Sequence, residues 1–186
     1  MSARSARMAS SPIRIRRAGL SDWAVIAAIH ASSWRSAYRG IYPDSYLEEQ
    51  ATAERRAFWR EAFGGMDPEL DAVFLAEEAG EAVGFACVRR KAEAAGPLLD
   101  NLHVLPERKG GGIGRQLIAA AAAWLVEREP EAVLQLVVWA GNGPARRFYE
   151  HLGGREIEVF EAPTPGGGTA PQVRVLWERA ADLAGP

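Results

Sequence analysis

A glycine-rich turn between a predicted strand and a predicted helix is the clearest chemical feature of this chain. From Asn101 to Gly114 the sequence reads NLHVLPERKGGGIG, an apolar segment, a proline, two cations and then glycines that open a helix. The first amides of a helix have no partner within it, and glycines leave them accessible, so such a turn binds phosphate. We therefore expect an anionic ligand here, with Arg108, Lys109 and Arg115 close to it.

Three other kinds of phosphate chemistry do not fit this turn. A nucleoside-triphosphate P-loop needs a lysine and a hydroxyl residue after its last glycine, whereas Gly114 is followed by Arg115 and Gln116. A dinucleotide-binding fingerprint needs a glycine where Arg115 stands. A nucleotide-dependent phosphotransferase would need magnesium ligands, and Glu107 alone is close. The sequence thus predicts a phosphate site without a metal.

A second motif follows the next apolar run, Val133 to Val138, and begins Gly-Asn-Gly-Pro. Asn142 is a suitable helix cap, Pro144 suits the first helical turn, and Tyr149 follows about two turns later. Ligands in parallel α/β units lie beyond the carboxyl ends of the strands. We therefore expect Asn142 and the glycine turn to flank one crevice.

Together the two motifs resemble those of the GNAT superfamily of acyl-CoA-dependent N-acetyltransferases. The acyl-CoA signature of that family, Gln/Arg-x-x-Gly-x-Gly/Ala, is matched by Lys109–Gly114, with lysine in place of the usual first residue. Asn142 and Tyr149, followed by Gly153, match the second signature of the family. The order of predicted elements matches from Ile13 to Trp177, which is nearly the whole chain.

The resemblance implies that an acetyl group passes directly from acetyl-CoA to a primary amine of a small molecule or peptide in a ternary complex. A backbone N–H of the strand Leu102–Val104 would stabilise the oxyanion, and Tyr149 would occupy the proton-donor position. Protonation of a thiolate of pKa near 8.5 by a tyrosine near 10 is uphill by about 2 kcal/mol, so Tyr149 is expected to act mainly through a hydrogen bond to sulfur. The residues that the resemblance assigns to the cofactor are Leu102, His103, Val104, Lys109, Gly110, Gly111, Gly112, Ile113, Gly114, Asn142 and Tyr149.

The base that takes the proton of the amine is not identified by the motifs. Some members of the resembled family use a glutamate on the strand before the second motif, where this chain offers only Gln135. Asp100 and His103 are the local candidates, with Asp100 preferred as catalytic, although His103 also fits a packing role; Glu77 is a third. Asp100 and Leu102 should share one face of the strand and His103 the other. The missing base leaves open an alternative, a non-catalytic acyl-CoA-binding regulatory module.

The elements that position these motifs follow from the apolar patterns. Their order is β-α-α-β-β-β-α-β-α-β-β, with a single second helix from about Asp44 to Phe63. The strand–helix–strand unit from Leu98 to Val138 requires a right-handed parallel crossover. The predicted class is α+β, a GNAT-like three-layer α/β/α fold with a mixed, mostly antiparallel sheet of about seven strands and four helices.

Composition fits one soluble domain. Of 186 residues, 12–180 are expected to form a single N-acetyltransferase domain, 1–11 a disordered tail and 181–186 a C-terminal tail. The formal charge of −2 predicts no attraction to nucleic acid or membrane, and no apolar run could span a bilayer. The single cysteine, Cys87, excludes an intramolecular disulfide and is expected to be a buried thiol. A cytoplasmic location is the default expectation, and homodimers are common in the resembled family.

Aromatic residues gather at the junction of the first two predicted helices, a region that lies over the acceptor site in GNAT-like proteins. A wall for a cationic substrate and plain packing of the helices explain them equally well. The loop Pro163–Pro171 fits either a mobile lid or a dimer contact. The aromatic residues concerned are Trp34, Tyr38, Tyr42 and Tyr46.

Overall fold

A sheet of seven strands forms the centre of the molecule. The computed structural model describes residues 12–93 and 96–185, so the expected tail at residues 1–11 lies outside the part described. The strands are β1 (Ile13–Arg17), β2 (Asp71–Glu78), β3 (Glu81–Glu93), β4 (Gly96–Val104), β5 (Leu134–Trp139), β6 (Arg155–Pro163) and β7 (Thr169–Trp177). The helices are α1 (Trp23–Ala37), α2 (Asp44–Glu49), α3 (Ala51–Gly65), α4 (Ile113–Val126) and α5 (Gly143–His151).

The strands lie in the spatial order β1-β2-β3-β4-β5-β7-β6. β4 and β5 run parallel, with Leu98 opposite Gln135, and the other neighbouring pairs are antiparallel. The predicted parallel crossover is therefore confirmed, with α4 as the connecting helix. The predicted α+β class and the mixed, mostly antiparallel sheet are confirmed with it.

Helices cover both faces of the sheet and produce three layers. On one face α5 contributes Tyr149 to a core cluster that β2 to β5 and β7 share. On the other face α1 and α3 pack Ile26 and Trp59 against β2 and β3, and neither side chain is exposed. The predicted apolar face of α4 is confirmed, since every member is buried in the first cluster: Ile113, Leu117, Ile118, Ala121 and Leu125.

The predicted single helix from Asp44 to Phe63 is wrong, because the chain bends at Gln50 and forms α2 and α3 instead. The two helices bury their apolar residues in different clusters. Leu47 of α2 packs beside Trp34 of α1, whereas α3 packs on the sheet with α1. The described chain therefore has five helices rather than the predicted four. The helical spacing of apolar residues continues across both helices, so it does not reveal that α2 and α3 pack in different directions.

The end of the described chain packs on the domain. Residues 181–185 were expected to lie in a C-terminal tail, yet a short helical turn spans Ala180–Asp182. Leu183 is 7% exposed and joins the core cluster under α4. The amide of Ala180 also donates to the carbonyl oxygen of Ala132 at 2.8 Å, which anchors this segment beside β5.

Candidate functional site

A groove of about 700 Å³ opens where β4 and β5 part. The two strands pair at Leu98 and Gln135, and beyond that point Leu99–Val104 lines one wall and Leu136–Val138 the other. The polar backbone groups on these two edges therefore face the opening instead of a neighbouring strand. Such edges can bind an extended ligand through its amide groups.

The point of separation is held by Gln135, which is 0% exposed. Its amide group donates to the carbonyl oxygen of Gly96 at 3.1 Å and accepts from Nη1 of Arg174 at 2.8 Å. Arg174 in turn pairs with Glu158 at 2.9 Å, so the contacts extend from β4 across β5 and β7 to β6. Both the nitrogen and the oxygen of the Gln135 side chain are thus hydrogen-bonded, and the residue serves as a structural brace.

A bulge in β4 lies on the groove wall. Consecutive residues of β3 pair with the residues on either side of Asp100, so Asp100 is an extra residue in the strand. Leu99 and Leu102 consequently pack in the same core cluster. The carboxylate of Asp100 lies 3.2 Å from Nε of Arg89, near Cys87 of the opposite cluster. The predicted shared face of Asp100 and Leu102 is therefore wrong, because alternation restarts at the bulge.

The glycine turn connects β4 to α4. Gly112 is the N-cap of α4 with φ of 77°, and Gly110 has φ of 85°. A Cβ at either position would meet no atom within 4 Å, so glycine is favoured there by the left-handed backbone rather than by crowding. Gly111 lies between them. The residues of this segment that line the groove, beside the free amides at the start of α4, are Arg108, Lys109, Gly110, Gly112, Ile113, Gly114 and Arg115.

The second motif lines the same groove, from the end of β5 into α5. Oδ1 of Asn142 accepts from the amide of Ala145 at 3.3 Å and caps α5. Tyr149, two turns into the helix, is 8% exposed and packs edge-on against Trp177 at 6.0 Å. Asn142 and Tyr149 both line the groove.

Tyr149 shares the groove with a second phenol, that of Tyr38 at the end of α1. Burial, with a smaller contribution from Tyr38, raises the pKa of Tyr149 above the ordinary value near 10. Burial raises the pKa of Tyr38 to about 12. Both hydroxyls therefore keep their protons at neutral pH and are suited to donate hydrogen bonds to a developing anion.

Two stacked histidines lie on the α1 side of the groove. The rings of His103 and His30 are 4.3 Å apart at an angle of 30°. Nδ1 of His103 lies 3.0 Å from Oγ of Ser33, and His103 and Ser33 line the groove. Nδ1 of the buried His30 accepts from Nε1–H of Trp59 at 2.9 Å, which places the proton of a neutral His30 on Nε2.

Both histidines are neutral at physiological pH. Burial, then the cations Lys109 and Arg55, lowers the pKa of His103 to about 3. Burial is also the main cause that lowers the pKa of His30 well below 6.5, with His103 and Arg55 adding to it. The sequence signal for His103 was its place on the strand before the glycine turn, whereas nothing in the sequence pointed to His30.

We expect the free energy of unfolding to fall as the pH drops below 6.5. In that range the unfolded chain binds protons at both histidines and the folded chain does not, so the unfolded state gains. Protonation of each histidine in the unfolded chain should lower the free energy of unfolding by about 1.2 kcal/mol between about pH 7 and about pH 5.5. Urea unfolding across this range measures the loss, and His103→Gln should remove about half of it. Equal stability at both pH values would contradict the neutral, buried state of these rings.

Two further candidates lie away from the groove. Cys87 is 0% exposed, and burial raises the pKa of its thiol to about 12, so it is the expected inert thiol. The carboxylate of Glu77 accepts from Nε of Arg16 at 2.8 Å and does not line the groove. Neither residue is placed to act on a ligand in the groove.

Most of the aromatic residues at the helix junction are packing residues. The hydroxyl of Tyr42 accepts from Nε1 of Trp139 at 2.8 Å, and that of Tyr46 donates to Glu54 at 2.6 Å. The turn between β6 and β7 rests on Tyr46, since a Cβ on Gly166 would lie 2.6 Å from the Cβ of Tyr46. Trp34, Tyr42 and Tyr46 form a buried cluster, and Tyr38 is the member of the group that lines the groove.

Two other kinds of site are absent from residues 12–93 and 96–185. No group of three or more His, Cys, Asp or Glu side chains there is placed to hold a metal ion. Within the same ranges, no helix combines the length and apolar character needed to cross a bilayer.

Sequence and structure comparisons agree with this geometry. The profile of the acetyltransferase (GNAT) family matches residues 28–154. The chain is 31% identical over 143 residues to the uncharacterized N-acetyltransferase YuaI of Bacillus subtilis (strain 168), covering 74% of this chain and 78% of that protein. It is 29% identical over 159 residues to the probable N-acetyltransferase Rv2775 of Mycobacterium tuberculosis, a match that covers 80% of this chain and 85% of that protein.

Solved structures share the fold. The PaiA N-acetyltransferase of Thermoplasma acidophilum, in complex with coenzyme A, superimposes with a TM-score of 0.67 at 19% identity over 88% of this chain and 98% of that one. The structure of YncA, a putative acetyltransferase from Salmonella typhimurium with its cofactor acetyl-CoA, superimposes with a TM-score of 0.64 at 20% identity. The match covers 90% of this chain and 94% of that one.

Proposed function

Because this chain belongs to the acetyltransferase (GNAT) family, we propose that it moves an acetyl group from acetyl-CoA to a primary amine of a small molecule or peptide. The amine attacks directly in a ternary complex, within a single domain over residues 12–180. One observation carries this proposal: the segment that opens α4 and Tyr149 of α5 line one groove between parted parallel strands. A diphosphate bound at the start of α4 directs the thioester end along this groove toward Tyr149.

The cofactor has an extended path along this groove. Its diphosphate binds the amides of Gly110–Gly114 with Lys109 beside them, as anions do at helix N-termini. Its pantetheine arm lies between β4 and β5 and bonds to the open backbone edge of Leu102–Val104. Asn142 shapes the wall on the far side through its cap of α5. Residues of each of these segments line the groove, which supports this assignment.

The groove also supplies the groups that acyl transfer needs. A backbone N–H of Leu102–Val104 stabilises the oxyanion that forms when the amine attacks the thioester carbonyl. Tyr149 donates a hydrogen bond to the sulfur as the carbon–sulfur bond breaks. Because its pKa is raised by burial, full transfer of its proton is unfavourable and hydrogen bonding is its role. Asp100 and His103 both line the groove and are the two candidates for the base.

The proposal is tested by mixing the protein with acetyl-CoA and a panel of polyamines, amino acids and short peptides while free thiol is followed. We expect thiol release that depends on both protein and amine, with the acetylated amine found by mass spectrometry. Thermal stabilisation by CoA without thiol release for any amine would favour the non-catalytic binding module. Absence of binding heat from CoA in calorimetry at millimolar concentration would overturn both interpretations.

A further inference from the structure

We propose that the imidazole of His103 takes the proton that leaves the acceptor amine, and that Ser33 and His30 are positioning residues for this ring. The inference rests on the proposed acetyl transfer and adds to it the residue that completes the path of the proton. It replaces the sequence-based preference for Asp100.

The position of His103 suits this role. The backbone of His103 belongs to the strand edge proposed to hold the thioester, so its side chain lies next to the reacting carbonyl. The imidazole lines the groove on the α1 side, together with Ser33 and Tyr38. Tyr149 lines the groove from α5. An amine that enters from the α1 side therefore meets His103 first and the thioester behind it.

The hydrogen bonds of His103 determine which nitrogen is available. Nδ1 lies 3.0 Å from Oγ of Ser33, and a serine oxygen can accept from Nδ1–H. In that tautomer the lone pair is on Nε2. Within the described residues no protein group is hydrogen-bonded to Nε2, so this atom can accept a proton from a molecule in the groove.

His30 fixes the plane of the ring without competing for the proton. Trp59 donates to its Nδ1 at 2.9 Å, so the neutral ring of His30 carries its hydrogen on Nε2 and has no free lone pair. Its ring stacks on His103 at 4.3 Å, and the ring of Phe85 is 5.4 Å from His103. His103 is thereby held between rings of α1 and β3.

The other two candidates are engaged elsewhere. The carboxylate of Asp100 lies 3.2 Å from Nε of Arg89, at the bulge. Glu77 is paired with Arg16 away from the groove. Each of these carboxylates is paired with an arginine, whereas Nε2 of His103 has no hydrogen-bond partner among the described residues.

The step balances as follows for a neutral amine. Its nitrogen forms a bond to the carbonyl carbon and the carbon–sulfur bond breaks, giving the amide and the thiolate of CoA. As the carbon–sulfur bond breaks, the nitrogen becomes that of a protonated amide, which is a strong acid, so its extra proton passes to Nε2 of His103 even though the pKa of this imidazole is about 3. The thiolate, hydrogen-bonded by Tyr149, takes a proton from solvent. Burial, and then Lys109 and Arg55, disfavour a charged His103, so the imidazolium returns its proton to solvent.

A spectroscopic test needs no knowledge of the acceptor. The chain has three histidines, so long-range proton–nitrogen spectra of protein labelled with ¹⁵N-histidine are simple to assign, using His103→Gln to identify one ring. We expect His103 with hydrogen on Nδ1 and a bare Nε2, and His30 with the opposite tautomer. A proton on Nε2 of neutral His103 would overturn the proposal. Ser33→Ala should shift part of His103 to the other tautomer.

Kinetics test the same idea with the amine from the panel that releases thiol fastest. His103→Gln should lower kcat about 100-fold, with KM for acetyl-CoA little changed, and added imidazole should restore part of the rate. Ser33→Ala should lower kcat about 10-fold, while Ser36→Ala, an exposed serine of the same helix, should not change it.

The outcomes separate this inference from the proposed function. If the native chain turns over and His103→Gln has the same kcat, His103 is not the base. A larger loss of kcat in Asp100→Asn than in His103→Gln would lead to the same conclusion. Both outcomes leave the proposed transfer reaction intact. Absence of turnover with every amine sinks the transfer reaction itself. If His103→Gln does not fold, judged by its circular dichroism, the ring whose signals respond to Ser33→Ala is that of His103, and its tautomer in the native chain decides.

Discussion

Replacement of Tyr149 by phenylalanine will lower kcat for acetyl transfer about 100-fold or more and leave the affinity for acetyl-CoA nearly unchanged. The variant keeps the ring that packs on Trp177 and Phe148 and removes only the hydroxyl. That hydroxyl stays protonated because burial raises its pKa. In the proposed mechanism it acts on the sulfur mainly as negative charge develops. Initial rates of thiol release at saturating substrates give kcat, and calorimetry gives Kd.

Tyr42→Phe is the matched control for this change. Tyr42 is another buried tyrosine, and its hydroxyl accepts from Trp139 in the packing cluster away from the proposed chemistry. Its loss should reduce stability by about 1 kcal/mol and leave kcat unaltered. If the two variants turn over equally fast, Tyr149 has no part in the reaction.

Replacement of Gly112 by valine will weaken CoA binding by about 100-fold or more. Gly112 caps α4 with φ of 77°, a backbone region that a β-branched residue avoids. Valine will turn the peptide and misdirect the amides that we propose bind the diphosphate, and each charge-assisted hydrogen bond lost costs about 1.5–3 kcal/mol. Calorimetric Kd values for CoA measure the effect directly, without any acceptor.

Gly80→Val provides the comparison. Gly80 has φ of 85° in the turn between β2 and β3, and a Cβ there would also meet no atom within 4 Å. Both variants therefore bear a similar backbone strain of about 1–2 kcal/mol, but Gly80 does not line the groove. An equal loss of CoA affinity in the two variants would mean that general destabilisation, not the position of the α4 amides, explains the result.

The predictable parts of the fold are those marked by residues that lie close together in the sequence. The glycine turn, the Asn142 cap and the apolar face of α4 are local patterns, and the crossover follows from chain direction alone. The bend at Gln50 was not predictable in this way, because both halves of the segment keep a helical period and differ only in the cluster that buries them.

The proposed base was the hardest residue to predict from sequence, for two physical reasons. The bulge at Asp100 breaks the alternation on which the assignment of faces depended, and a bulge has no reliable sequence mark. The second reason is distance along the chain. Ser33 meets His103 across 70 residues, and Trp59 meets His30 across 29, so the bonds that set these tautomers exist only in the folded molecule.

The parting of β4 from β5 also bears on how long the protein survives. Because β4 and β5 pair at Leu98 and Gln135, the strands β1–β4 are joined to β5–β7 through a short stretch of pairing. The hydrogen bond from Gln135 to Gly96 stabilises only the paired end of the groove. On the proposed function, bound acetyl-CoA bridges the remainder and stabilises the folded chain, by about 2.7 kcal/mol when the ligand stands at about 100 times Kd. Resistance to proteolysis should then rise and fall with the combined concentration of acetyl-CoA and CoA.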